Sequence, residues 1–200
     1  MRASLDTTPD RVEVDPTMNS VVRYITTKVD DTLLAQLINK SLQPNIVKYT
    51  PNDSRKRFGD SQMFRLWQAK GREIYLLLGP GDDLAGIIWY GKASFPIAEL
   101  QLAETPQETF AIRLYEGYTG QGLAVPFMKQ TLRLAVQRKQ ATNQPITGIW
   151  LQTDLSNAPA RASYVKFGYE EVHQDKERIT MVLSPTKILV ICNHSQHPEQ

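Results

Sequence analysis

The chain has 200 residues, 41% of them apolar, with a formal charge of +2 and a sequence pI near 8.6. That suits one domain with a proper core, and the charge is too mild to announce a nucleic-acid partner. Cys192 is the single cysteine, so no internal disulfide framework exists, and with His173, His194 and His197 it gives no zinc spacing. No apolar run approaches membrane-spanning length and the N-terminus lacks a secretory h-region, so we expect a cytoplasmic domain with no metal and no membrane contact.

In chain order, residues 1–19 are polar, carry Pro9 and Pro16, and read as an unstructured arm. Residues 21–27 (VVRYITT) read as a first strand. Asp30 or Asp31 then caps a helix whose apolar face holds Leu33, Leu34, Leu37, Ile38 and Leu42. Pro44 and Pro51 bracket a loop, and residues 51–57 (PNDSRKR) form a charged connector. Asp60 or Ser61 opens a second helix with Met63, Phe64 and Trp67 at helical spacing, a core face, and Gly71 ends it. Residues 73–78 and 84–90 are strands joined by the breaker-rich GPGDD, a hairpin. Residues 91–106 read as an insertion.

Next comes the stretch around which the rest is organised. Residues 109–115 are rich in β-branched and aromatic residues and read as a strand. Glycines follow at 117, 120 and 122, where a missing Cβ lets the backbone turn sharply or approach a ligand. A helix from Gly122 carries Leu123, Phe127 and Leu134 beside Ala124, Met128 and Ala135 at spacings of three, four and seven. A glycine turn running into a helix N-terminus is an anion site, because the first helical N–H groups have no partner and the dipole favours negative charge. No Gly-Lys-Ser/Thr follows and no third glycine stands at dinucleotide spacing, so neither of those phosphate motifs applies. Residues 148–153 are then a strand, residues 157–167 a helix, and 169–174 and 178–183 two more strands. Residues 186–192 (TKILVIC) suit an extra edge strand or a patch for a partner chain, a second copy included, before a polar tail.

The run Thr119-Gly120-Gln121-Gly122-Leu123-Ala124 resembles the Arg/Gln-x-x-Gly-x-Gly/Ala pyrophosphate loop of the GNAT superfamily of acyl-CoA-dependent N-acetyltransferases, with Thr119 where the family carries Arg or Gln. Residues 157–169, Asn157-Ala158-Pro159-Ala160-Arg161-Ala162-Ser163-Tyr164-Val165-Lys166-Phe167-Gly168-Tyr169, are similar to its Asn-x-x-Ala-x-x-x-Tyr-x-Lys-x-Gly-Phe/Tyr segment at every signature position. The resemblance spans residues 21–183 and is sharp over 110–169. It implies an α+β (mixed α/β) three-layer fold, a twisted mixed sheet with helices on both faces and a V-shaped splay between parallel central strands. The domain is expected over residues 20–184, between the arm at 1–19 and an extension at 185–200.

What the resemblance implies about chemistry is specific. Thr119, Gly120, Gln121, Gly122, Leu123 and Ala124 would cradle the pyrophosphate of acetyl-CoA. The backbone of Leu114 would polarise the thioester carbonyl, and Asn157 would hydrogen-bond pantetheine, unless it only caps its helix. Tyr164 stands at the general-acid position; its alternative role is packing over the cofactor. Glu108 is the expected base, with Glu116, Asp154 and ordered water as rivals. The acceptor is an amine, of a small molecule or a peptide, received between residues 31–70 and 169–183; Arg55, Lys56 and Arg57 beside Phe58, Phe64 and Trp67 suggest one that also bears a carboxylate or phosphate. A non-catalytic acyl-CoA sensor on the same scaffold is the alternative function, while a nucleic-acid module built on residues 51–57 has too few basic residues.

Overall fold

Strands buried on both faces build the middle of the molecule. The computed structural model describes residues 10–18 and 20–193. Strands β3 (Glu73–Leu78) and β4 (Leu84–Lys92) are apolar nearly throughout and all but their end residues are buried, as interior strands covered on both faces must be. They pair antiparallel, and β4 pairs in turn with β5 (Glu108–Leu114) over seven residue pairs. Outside β3 lie β2 (Tyr24–Thr26) and β1 (Val12–Glu13); beyond β5 come β6 (Ile149–Asp154), β8 (Arg178–Leu183) and β7 (Glu170–Gln174). The order is β1-β2-β3-β4-β5-β6-β8-β7, with β5–β6 the parallel pair.

Alternation along the strands sorts two cores. Tyr75, Leu77, Ile88 and Phe110 face α4 (Ala124–Ala141), α5 (Ala158–Phe167) and α6 (Pro185–Asn193). Ile74, Leu76, Ile87, Trp89 and Tyr115 face α1 (Asp31–Lys40), α2 (Pro44–Tyr49) and α3 (Ser61–Gln68). Asp30 caps α1 by accepting from Leu33 N at 2.8 Å, and Asp60 caps α3 by accepting from Met63 N at 2.7 Å, each satisfying one orphan donor. The expected layers are therefore present: a mixed open sheet with helices on both faces.

One junction differs from the others. β5 and β6 pair only at Glu108↔Ile149 and Thr109↔Trp150, while β5 stays on β4 as far as Leu114↔Gly86 and β6 stays on β8 as far as Asp154↔Arg178. Past the second pair the two strands part, and the sheet opens in a V toward the C-terminal end of β5.

Four elements depart from the sequence reading. Residues 10–18 do not trail as an arm: β1 pairs with β2, Val14 and Met18 are buried, and Gln130 of α4 accepts from Asp15 N (3.0 Å) and donates to Glu13 O (2.7 Å). Residues 1–9 and 19 of that segment, like residues 194–200 of the expected tail, lie outside the described residues. The first strand is three residues long rather than seven. Pro44 starts a short helix instead of bordering a loop, as its fixed φ and missing N–H allow at N1. Residues 186–192 are helical, not an edge strand: Lys187 N donates to Ser184 Oγ (3.3 Å), Pro185 takes the first turn, and Ile188 is buried beneath α4. Because Met18 is 1% exposed, Met18→Ala should cost about 2–4 kcal/mol in denaturant unfolding; an unchanged midpoint would restore the arm reading.

Candidate active site

The edge of β5 exposed by the V follows from hydrogen-bond parity. Tyr115 N donates to Ala85 O at 3.0 Å. In an antiparallel pair polar groups alternate between the two sides, so Tyr115 and Arg113 direct theirs at β4, and Leu114 and Ile112 direct theirs at β6. Since β6 has parted there, the Leu114 N–H and the Ile112 C=O face the opening.

At that end the chain turns through residues 115–123. Gly117, Gly120 and Gly122 have φ of +86°, +76° and +73°, the left-handed region that disfavours any residue with a Cβ. A Cβ at any of the three would meet nothing within 4 Å. The glycines are thus required by backbone conformation and not by crowding, and open space lies over the turn. Glu116 N donates to Gln43 Oε1 (3.0 Å), which ties the turn to the start of α2, and the Gln121 side chain donates to Gly117 O within it. α4 then starts with no side-chain cap on Leu123, and Phe127 N→Leu123 O (3.0 Å) is its first-turn bond. The N–H groups of Ala124 and Val125, in the first turn, have no intrahelical acceptor. Pro126 removes a donor that would have been an orphan in any case. Thr119, Gly120, Gln121 and Gly122 are exposed around this turn, while Leu123 is buried and anchors it.

Across the V stands α5. Asn157 Oδ1 accepts from Ala160 N at 3.4 Å, so the residue is the helix cap. Tyr164 is buried against Phe110 of β5, edge to face at 6.3 Å, and against Tyr169 at 5.9 Å. Burial pushes its phenol above the usual tyrosine range, and the positive charge of Arg113 draws it part of the way back. The group therefore keeps its proton at neutral pH, as a general acid must.

No family model and no curated protein matches the sequence. Solved structures do match the fold. Spermidine N-acetyltransferase from Vibrio cholerae, solved with CoA and spermine, superposes with a TM-score of 0.61 at 15% identity over 82% of this chain and 98% of that one. An aminoglycoside acetyltransferase solved with coenzyme A superposes with a TM-score of 0.62 at 16% identity over 86% and 99%. A GNAT-family acetyltransferase from Bacillus anthracis gives 0.57 at 13% identity over 83% and 99%. The chain has the GNAT fold. The mixed open sheet expected of that fold is present, and its V is the parting of β5 from β6.

On this GNAT scaffold the carboxylates do not sit as expected. Glu108 is ion-paired with Lys139, both largely buried, at the closed end of the β5–β6 pair. At about 3.3 Å per residue it is roughly 20 Å of strand from Leu114. That corrects its reading as the base: it clasps the β5 start to α4. Asp154 accepts from Ser156 N and Oγ (2.8 and 2.6 Å), which hold it below the usual carboxylate range and make it a poor base. Glu116 is exposed at the turn.

One carboxylate escaped notice. Asp53, wholly buried, lies in a π-helical turn (Asp53–Arg57) and binds Arg57 Nη1 and Arg113 Nε, each at 2.6 Å. Both guanidinium groups lie over the Trp89 ring, at 5.7 and 4.9 Å. Arg57 is thereby committed to Asp53, whereas Arg55 and Lys56 are exposed. The i,i+4 spacing of Asp53 and Arg57 is a readable signal; the link to Arg113 is not.

Proposed function

We propose that the chain is an N-acyltransferase that moves an acetyl or other short acyl group from CoA to a primary amine by direct attack. The observation that carries this is a coincidence of place: the sheet opens at the very end where three left-handed glycines lead into an uncapped helix, with Tyr164 on the far wall. The backbone of residues 119–124 would hold the pyrophosphate, and the Leu114 N–H would donate to the thioester oxygen, a contact typically worth ~3–4 kcal/mol in the transition state. The amine nitrogen attacks the carbonyl carbon, a C–N bond forms and the C–S bond breaks. The departing thiolate takes the Tyr164 proton, the surplus amine proton leaves to water, and the phenolate is reprotonated from solvent. With Glu108 paired elsewhere, water is the base.

The sensor reading keeps one point in its favour. Of the carboxylates read as bases, one is ion-paired and one is held at low basicity. Calorimetry with acetyl-CoA and with CoA, followed by thiol release over amino acids, polyamines and aminoglycosides, separates the two. We expect saturable turnover with a Michaelis constant for acetyl-CoA between roughly 1 µM and 1 mM. Binding without turnover on any amine would leave the sensor, and no binding at millimolar ligand would remove both. Solved neighbours hold spermine, paromomycin or ribostamycin. Here Arg55 and Lys56 stand exposed beside α2 and α3, which favours an amine that also bears a carboxylate or phosphate, free or in a peptide. Faster turnover of polyamines than of amino acids would refute that preference.

A further inference from the structure

The parting of β5 from β6 leaves two unlike groups near the end of one strand edge: the Leu114 N–H, a donor, and the Ile112 C=O, an acceptor. A thioester oxygen gaining negative charge is attracted by the first and repelled by the second. In the structure the Ile112 carbonyl is engaged by Nη1 of the next residue, Arg113, at 2.7 Å. That guanidinium is fixed on its other sides too. Nε and Nη2 reach the buried Asp53 carboxylate at 2.6 and 3.4 Å, and its Cζ lies over the Trp89 ring, 4.9 Å from the ring centre. The Arg113 side chain is 13% exposed. Burying such an ionic group between strand and helix layer brings little net stability, because desolvation offsets the attraction. Its planar, triply held geometry is what a positioning role requires, and a lysine could not reproduce it.

Resting on the acyl-CoA reading above, we propose that Arg113 is a positioning residue for acyl transfer: by engaging the Ile112 carbonyl and holding a fixed cation at the cleft edge, it keeps the end of β5 a donor surface for the thioester oxygen. Asp53 is its anchor, and the π-helical turn is the backbone form that brings this carboxylate under the strand; such turns recur at functional sites. The same positive charge partly offsets the rise that burial imposes on the Tyr164 phenol.

The test reads the thioester itself. Acetyl-CoA labelled at its carbonyl carbon is bound to the full-length chain, and the C=O stretch is recorded by isotope-edited infrared spectroscopy beside calorimetric affinity. In the wild type the stretch should fall relative to free acetyl-CoA. Arg113→Gln should lose at least half of that fall while affinity stays within about threefold, since a hydrogen bond that polarises the neutral thioester oxygen shifts its stretch but adds little to ground-state binding and strengthens as charge develops. Arg113→Lys should recover part of it, because the charge returns without the fork. If Arg113→Gln fails to fold with Asp53 left short of a partner, the double variant Asp53→Asn/Arg113→Gln removes both charges and answers the same question. A merely structural Arg113 would lower the melting temperature and leave the stretch unmoved, which would overturn the inference. Binding by the wild type with no fall at all would overturn it equally. No acetyl-CoA binding by the wild type would overturn the acyl-CoA reading and this inference together.

Discussion

Gly122→Asp should weaken acetyl-CoA binding by a hundredfold or more while leaving the fold intact. Two effects add. The backbone at Gly122 has φ of +73°, and a residue with a Cβ is strained there by roughly 1–2 kcal/mol. The carboxylate would then face the phosphates: like charges about 4 Å apart near a protein surface repel by about 4 kcal/mol, and every 1.4 kcal/mol is about tenfold in affinity. A Cβ at this position meets nothing within 4 Å, so the substitution starts into open space. Gly122→Ala separates the two effects, since it keeps the strain and omits the charge, and should lose roughly tenfold. Thr119→Arg should tighten binding or leave it unchanged, because an exposed guanidinium beside the turn adds only a screened attraction. Calorimetry with acetyl-CoA and with CoA measures all three. Equal affinity in wild type and Gly122→Asp would place the phosphates elsewhere.

That prediction could be framed from sequence because the features behind it are local. A glycine at a left-handed position, an Asn157 cap three residues before its donor, and apolar runs such as residues 73–78 bounded by glycine each announce themselves within a few residues. The misreadings come from contacts between distant residues. An apolar run as short as residues 186–192 fits a strand or a helix equally until Ser184 and the α4 surface choose between them. Glu108 stands at the start of the central strand, as a catalytic glutamate could, but Lys139 arrives beside it from the far end of α4 and ties it down. β1 is two residues long, too short to show a period of two, and is held by Gln130 more than a hundred positions away. The union of Asp53 with Arg113 likewise exists only once β5 packs against the π-helical turn.

Tyr164→Phe should lower kcat by roughly a hundredfold to a thousandfold, the usual share of a positioned general acid, with the acetyl-CoA affinity within about twofold of wild type. The phenol lies in an aromatic cluster with Phe110 and Tyr169 and makes no hydrogen bond among the described residues, so phenylalanine fits the same space and stability should hold. The pH dependence provides the decisive sign. Burial raises the Tyr164 phenol above its ordinary pKa near 10, more than Arg113 lowers it. The wild-type acid is therefore protonated throughout the neutral range, and kcat should decline only as the pH rises through that elevated value, on the alkaline side. The variant has no proton to lose there, so its alkaline limb should disappear along with most of its rate. Thiol release followed against pH on the best acceptor shows both at once. Undiminished turnover in Tyr164→Phe would reduce the tyrosine to a wall of the cleft, and a retained alkaline limb would assign that titration to another group.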